Sequence, residues 1–499
     1  MASLLEIRGE RLGKIAKLKE LGIDPYPARS HKTQSNQEIL NNYEKFEGKE
    51  VILAGRLISL RTHGPITFGD LEDESGRIQL YIKEEVLNKH ENGEQNIGYS
   101  ELNLIDVGDF LEGRGLVTKT KTGQVSLEVR HLYMLTKSLR PMPDKHDGLK
   151  DPELIFRQRY LDLASNNLRR EFFRRKARFW EVNREFMKIK GFLEVETPVL
   201  EYVPGGADAA PFITHHNALD QDFYLRISTE LYLKRLIGGG FEKVFTLGPN
   251  FRNEGIDDEH LQEYSQIEWY WAYADYKMNM ELVRDMFRYI ATKVYNRTKF
   301  TRGEYEFDLS DDWQEIDYSE SIKKNTGIDI WTATEPDMRE AIEKKGIKLE
   351  GELSRARLID NLWKCVRKSI AGPAFLINEP KFMSPLAKSK SDNPELTERF
   401  HVILAGSELG NGYSELNDPI DQFDRFKEQE KAREKGDRDA QMLDIDFVEM
   451  LEYGMPPVSG WGHSERLFWF LEDVTAREGT FFPQMRNKVT DIQKELYSL

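Results

Sequence analysis

The chain has a single cysteine, Cys365, in 499 residues. A lone thiol excludes an intrachain disulfide and a cysteine metal cluster, and makes a reducing cytoplasm the default expectation. Long apolar runs are missing too. No stretch of about 18 apolar residues occurs, so no membrane-spanning helix is expected. Residues 1–22 carry charges throughout and lack the apolar centre of a secretion signal; they read as an amphipathic helix. Positive charge is in deficit: the net charge is −15, which argues against a protein that coats nucleic acid. Residues 1–150 hold 22 Lys and Arg against 23 Asp and Glu, and the remainder 49 against 63. An RNA ligand would have to be held by local basic patches and base-specific contacts. There are no internal repeats and no low-complexity segments. The length allows two domains with an insertion.

From residue 51 to about 135, short alternating strands follow one another with glycine turns between: VILAGRLISL, PITFGDLED, GRIQLYIKEE, GDFLEGRGLVTKT and VSLEVRHLYML. Five such strands suit a small antiparallel barrel of the OB type, which binds single-stranded nucleic acid, or another small β domain without a ligand. Phe68 faces opposite to Leu71, and Gln79 opposite to Ile78, Leu80 and Ile82. An exposed aromatic beside an amide suits stacking on a base and reading its edge. Ordinary surface decoration is the alternative.

The most informative stretch is FRNEGIDDEHLQEYSQIEWYWAY, residues 251–273, which reads as strand, polar loop, strand. Arg252 and Glu254 lie two apart and share a face. In the second arm Tyr264, Gln266, Glu268 and Tyr270 point one way, and Ser265, Ile267, Trp269 and Trp271 the other. An acid, an amide and two phenols do not belong against a core unless they bind something. Arginine and histidine at the mouth, with carboxylates on the floor, fit an anionic phosphate and a cationic partner. An amphipathic hairpin with a wet face is the plainer reading.

Around this stretch the chain alternates helices and strands. A helix from Leu168 to about Lys190 has an apolar stripe at Phe173, Ala177, Trp180 and Phe186. FYLRIS is a strand, and TELYLKRLIGGG a short helix stopped by glycines. Residues 300–370 read as an α-rich insertion. FLIN is a buried strand, ERFHVILAGSELGNGYSELND a second strand region, and PPVSGWGHSERLFWFLEDV a strand followed by a helix.

Three separated segments resemble the signature motifs of class II aminoacyl-tRNA synthetases. GFLEVETPVL, with Pro198, resembles motif 1; FRNEG…EYSQIEWYWAYADY resembles motif 2; Arg466, after Glu465 and before an apolar helix, resembles the motif 3 arginine. PGGADAAPFITHHNALDQDFYLRISTELYLKRL and ELGNGYSELNDP are similar to the lysine-specific enzymes of bacterial type, and so are the N-terminal strands and LRPMPDKHDGL…RQRYLDL. The resemblance covers nearly the whole chain. It implies an α+β protein: an N-terminal helix and OB-type anticodon-binding barrel in residues 1–140, a linker in 141–165, and a class II catalytic domain in 166–499, an antiparallel sheet flanked by helices. It also implies a homodimer built on motif 1.

The implied reaction joins L-lysine to tRNA(Lys) through a lysyl-adenylate, with ATP as co-substrate and Mg2+ as cofactor. By resemblance Arg252 meets the α-phosphate and the lysine carboxylate, Glu254 holds adenine, His260 the outer phosphates, Tyr264 stacks on adenine, and Arg466 covers its other side. Arg252, Glu254, His260 and Arg466 are the implied catalytic residues. Gly206, Glu230, Glu268, Tyr270, Asn411, Tyr413 and Glu415 form the implied lysine pocket with Arg252; Glu268 and Glu415 take the ε-ammonium and Glu230 the α-ammonium. Pairing of these glutamates with Lys234 or Arg226 is the alternative. Arg56, Phe68, Gln79 and Glu128 are the implied anticodon readers.

The chain also departs from the family. A magnesium-binding glutamate is usual at His401, which leaves Glu408 as the metal and ATP contact with His401 in a doubtful place. The parity of Glu408 against Asn411 calls for a bulge at Gly410 or Gly412. Leu261 follows His260 where asparagine is usual, Gln266 replaces an apolar residue, and the motif 3 glycines are out of phase, with His463 at a usually small position. A lysine-adenylating enzyme with another acceptor and a non-catalytic tRNA-binding paralogue remain as alternatives.

Overall fold

Alternation of apolar and polar residues closes the first part of the chain into a barrel. Its strands are β1 (Glu50–His63), β2 (Ile66–Glu72), β3 (Arg77–Lys83), β4 (Phe110–Lys119) and β5 (Val125–Thr136), closed in the order β1-β2-β3-β5-β4. Ile78, Leu80 and Ile82 of β3 point into the core with Leu53, Leu71 and Leu127. Closure brings backbones very near: a Cβ on Gly115 would lie 2.0 Å from the Glu128 carbonyl oxygen, so only glycine fits there. Helix α1 (Leu4–Glu20) precedes the barrel, its start fixed by a capping box between Ser3 and Glu6.

The computed structural model describes residues 3–91, 93–143, 149–347, 349, 353–434 and 440–498; residues 144–148 of the expected linker lie outside these. The chain divides into two units, Met1–Asn166 with Arg486–Leu499, and Asn167–Met485. Residues 486–499, expected with the catalytic domain, group with the first unit, where the Arg486 carbonyl accepts from Arg157 Nη1 at 2.8 Å.

The second unit is built on an eight-stranded sheet. In order across it run Gln314–Asp317, Ala374–Ile377, Arg399–Leu404, Ser407–Ser414, Val458–Ser464, Glu263–Ala272, Lys243–Phe251 and Leu193–Glu194. The six inner strands are antiparallel, and each edge adds a parallel strand. One edge strand comes from the 300–370 region, so that region extends the sheet as well as adding helices Tyr318–Thr326, Glu335–Lys344 and Arg355–Arg367. Behind the sheet, Trp269, Trp461 and Phe400 are fully buried.

The helix expected from Leu168 spans Asn167–Ile189; of its expected stripe Phe173 and Phe186 are buried, and Ala177 and Trp180 are not. Phe172, Phe179, Val182 and Phe186 face inward, Ala177 is exposed and Trp180 is half-buried. On the same buried face Asn183 accepts a hydrogen bond at 2.9 Å from His463 Nε2–H on the sheet.

Glu201 supplies a test of this packing. Burial pushes its carboxyl from an ordinary value of 4.5 up to about 8, and Oε2 has no hydrogen-bond partner. A carboxyl raised on folding contributes stability that is complete below its unfolded value and is lost as pH rises through its folded value. Glu201→Gln should therefore flatten the decline in stability between pH 4.5 and 8, measured as urea midpoints against pH. An unchanged slope would show that Glu201 is solvated.

Candidate functional site

Two glycines hollow out the sheet. The strand Val458–Ser464 lies between Ser407–Ser414 and Glu263–Ala272, and the register makes two rows: Tyr413, Gly460, Tyr270 and Asn411, Gly462, Glu268. A Cβ on Gly460 would come within 2.4 Å of the Tyr270 ring and 2.5 Å of Glu415 Oε1; one on Gly462 would lie 2.8 Å from Gln266 Nε2. The glycines that looked out of phase thus share one face and form the floor of a cavity of about 260 Å³. Gly206, Glu230, Glu268, Tyr270, Asn411, Tyr413, Glu415 and Arg252 line it.

The three glutamates meet here, and two already share a cation. Lys234, fully buried, sits one turn along its helix from Glu230 at 2.5 Å and also contacts Glu415 Oε2. The alternative weighed from sequence is thus realised for Glu230 and Glu415. It is not realised for Glu268, nor with Arg226, whose guanidinium is held by the carbonyls of Pro249 and Thr197. Glu268 accepts from Thr229 Oγ1 at 2.7 Å, Tyr270 OH at 2.9 Å and Gln266 Nε2 at 3.2 Å. Among the described residues no cationic side chain is in ion-pair range of it. Burial, then the charge of Glu230, raises the Glu268 carboxyl above its ordinary value. Burial likewise raises Glu415 despite Lys234, and Glu415 Oε1 has no hydrogen-bond partner. Burial opposes the charge on Lys234, but Glu230 and Glu415 outweigh it and its pKa rises. Such a cluster wants another cation.

A second cavity, about 180 Å³, adjoins the first. Arg252, Glu254, His260, Tyr264, Glu408 and Arg466 all line it. Arg252, Gln266, Asn411 and Gly462 line both cavities, so the arginine stands at their junction. Arg252 holds its place through its backbone N–H to the Gln262 carbonyl at 2.8 Å, with its guanidinium 5.6 Å from the Tyr264 ring centre. His260 is exposed and paired with Asp257 at 2.8 Å. Arg466 pairs with Glu259 of the hairpin loop, and not with Glu465, which binds Lys176. His463 lies on the far side of the strand: its Nδ1 accepts from Trp461 Nε1–H at 3.0 Å, and burial drives its pKa down to about 3. It is a neutral, buried residue tied to the Trp461 indole and to Asn183.

The expected bulge is present. Between His401 and Ile403 the register shifts against Asn411 and Glu408, and Gly410 in the bulge has φ 123°. It turns Glu408 toward helix Arg355–Arg367, where Trp363 Nε1–H donates to Oε1 at 2.5 Å. Burial works to raise the Glu408 carboxyl, but His401, Arg367, Trp363 and Arg466 together bring it below the ordinary value. His401 Nε2 lies 2.8 Å from Glu379 Oε2, which sequence reasoning missed because only the neighbouring-strand register brings the two together.

On the barrel, Phe68, Gln79 and Glu128 share an outer patch with Tyr81. Phe68 pairs with Tyr81 and Asp70 with Gln79, and the Phe68 and Tyr81 rings stack at 5.3 Å. Gln79 accepts from Ser126 Oγ at 2.9 Å, and Glu128 binds Lys83 at 2.7 Å. Arg56 stands at the other end of β2, over the Phe110 ring, donating to the Gly108 carbonyl at 3.1 Å.

Comparison with known proteins matches these two regions. Residues 151–486 match the family described as tRNA synthetases class II (D, K and N), and residues 51–135 the OB-fold nucleic acid binding domain. A Lysine--tRNA ligase of Thermosipho africanus is 43% identical over 493 residues, covering 97% of this chain and 96% of the relative. The corresponding protein of Thermotoga maritima is 42% identical over 497 residues, 97% of each chain, and that of Clostridium tetani 45% over 485 residues, 96% and 95%.

Removing one partner of a buried ion pair costs about 3–5 kcal/mol. Lys234→Met should therefore destabilise the apoprotein by about that amount near neutral pH in urea unfolding, and by less in acid, where the glutamates are protonated. An equal loss at both pH values would mean that Lys234 acts by packing alone.

Proposed function

The chain belongs to the class II tRNA synthetases, and from that premise we propose that it ligates L-lysine to tRNA(Lys) with ATP, through a lysyl-adenylate. The observation that carries the choice of lysine is the acid cavity. Glu230, Glu268 and Glu415 share the one buried ammonium of Lys234, which contacts Glu230 and Glu415 and leaves Glu268 without a cationic partner among the described residues. Lysine brings one net positive charge. A cavity for aspartate would have to present a cation to the side chain, and one for asparagine amide partners.

Glu268 and Glu415, with Tyr270, receive the ε-ammonium; the uncompensated Glu268 and the open Oε1 of Glu415 support this. Glu230 meets the α-ammonium, and Gly206, Asn411 and Tyr413 complete the walls. Arg252 holds both the lysine carboxylate and the α-phosphate; its position lining both cavities supports this, and its planar, permanent charge suits both. A carboxylate oxygen attacks the α-phosphorus, the bond to the β-phosphate oxygen breaks, and pyrophosphate leaves. No enzyme nucleophile is needed; the work is positioning and charge stabilisation. A terminal ribose hydroxyl of the tRNA then attacks the lysyl carbonyl, and AMP leaves. Glu254 and Tyr264 hold adenine, and His260 and Arg466 meet the outer phosphates once they release Asp257 and Glu259.

Magnesium is the cation expected with ATP. Glu408, an ionised carboxylate on the nucleotide cavity, fits it, since magnesium is commonly held by one or two carboxylates and substrate phosphates. Bound there, it would neutralise charge on the phosphates. On the barrel, Phe68 stacks on an anticodon base, Gln79 and Glu128 read base edges, and Arg56 contacts the anticodon from the other end of β2. A homodimer through motif 1 is supported by large apolar side chains left exposed around it, including Leu168 (80%), Ile189 (65%), Leu193 (48%), Ile213 (64%) and Leu219 (60%). The enzyme works in the cytoplasm, with translation; among the described residues no helix is long and apolar enough to cross a membrane.

Amino-acid-dependent ATP–pyrophosphate exchange tests the reading. Lysine alone among the twenty should support it, and silence with all would overturn it. Glu268→Gln should reduce kcat/KM for lysine about 100-fold or more, the loss expected of a buried charge-assisted contact. The sign with pH follows from the raised Glu268 pKa. A cation prefers the carboxylate, so lysine binding releases protons and tightens as pH rises through that value; calorimetry in buffers of different ionisation enthalpy reads the release. Phe68→Ala should raise KM for tRNA and leave exchange unchanged.

A further inference from the structure

His401 lines a third cavity, with Glu379, Arg399 and Trp363, and Glu408 lines both this cavity and the nucleotide cavity. His401 Nε2 is 2.8 Å from Glu379 Oε2, and Glu379 is itself held by Arg399 at 3.3 Å. A carboxylate only accepts, so Nε2 carries the proton, and in the neutral ring the lone pair is on Nδ1. Nδ1 faces Glu408 Oε2 at 3.8 Å. That is too long for a hydrogen bond. Two ligand atoms each about 2.1 Å from one cation, however, sit roughly 3–4 Å apart. The other oxygen of Glu408 is occupied by Trp363 Nε1–H at 2.5 Å, which leaves Oε2 turned toward the imidazole. A carboxylate behind the imidazole, fixing its tautomer and orientation, is the arrangement that supports histidine as a metal ligand.

We infer that His401 Nδ1 and Glu408 Oε2 are the two protein ligands of a divalent cation shared with the nucleotide phosphates, and that the imidazole moves the site's preference from magnesium toward a borderline cation such as Mn2+. The inference rests on the ATP-dependent reading above. Imidazole suits first-row transition metals, whereas magnesium favours oxygen alone. Among the described residues no three carboxylate, histidine or thiol groups gather as a ready-made cage. The cation therefore needs the nucleotide to complete its shell, and arrives with it. Glu379 is a positioning residue here. The Glu379–His401 pair supplies in two steps what a single carboxylate would supply directly, with a nitrogen now at the metal.

Electron spin echo spectroscopy of Mn2+ bound with α,β-methylene-ATP and lysine tests this without turnover. The wild-type complex should show nitrogen modulation from a directly bound imidazole, and His401→Gln should lose it. His401→Glu should bind the cation without the nitrogen signal and shift the Mn2+ over Mg2+ preference, at half-saturation, by about ten-fold toward magnesium. Glu379→Gln should keep the nitrogen signal and weaken Mn2+ binding by a similar factor. Bound Mn2+ without nitrogen modulation in the wild type, modulation that persists in His401→Gln, or an unchanged preference in His401→Glu would overturn the inference. Lysine-dependent exchange with magnesium is run alongside: if it proceeds while the nitrogen signal is absent, only this inference falls; if it fails entirely, the reading beneath it falls too.

Discussion

Without the ammonium of Lys234, three buried carboxylates would face one another across a glycine floor. Like charges that close cannot all stay ionised in a site that excludes water. Lys234 lets Glu230 and Glu415 remain side by side, and it leaves Glu268 and the outer oxygen of Glu415 in want of a partner. The helix Glu230–Gly238 carries both Glu230 and its counter-ion one turn apart, so part of the charge balance is set locally, before the sheet closes. The other part spans the chain, because Glu415 follows the strand Ser407–Ser414, far from Glu230 in sequence. The cluster is in this sense incompletely neutralised: three buried carboxylates stand around one ammonium.

The same constraint explains the glycines. Gly460 and Gly462 stand between two strands that carry the polar wall, and any side chain on either would fill the cavity. Their neighbours Trp461 and His463 point the other way and knit the sheet to the helix Asn167–Ile189 through Asn183. One strand thus alternates between making room on its front and filling space on its back.

Much of this was legible in the sequence. The five barrel strands follow from alternation, and the parity of Tyr264, Gln266, Glu268 and Tyr270 placed an acid-lined face on the correct side of the hairpin. The parity clash between Glu408 and Asn411 revealed a bulge before any coordinates. What could not be read was pairing at long range. Parity says which face a residue is on and nothing about which strand lies beside it, so Glu379 beside His401 and Tyr81 beside Phe68 went unseen. Lys234 was named as a possible partner, but its contact with two glutamates at once depends on the meeting of segments far apart in sequence. The helical stripe of 167–189 was read only in part: hydrophobicity alone favoured Trp180, while the buried face includes an asparagine tied to His463. The insertion offered no motif because its contribution is spread out: an edge strand, three helices, and the Trp363 indole N–H and Arg367 placed against Glu408.

The grouping of Arg486–Leu499 with the N-terminal unit gives the chain an order of assembly. As the polypeptide emerges from the ribosome, the barrel strands are complete early, but the segment that joins their unit is made only after the whole second unit, residues 167–485. The RNA-reading half therefore reaches its final set of contacts only when the chemical half already exists. A product released before residue 486 would carry the catalytic segments with a barrel unit still missing a piece.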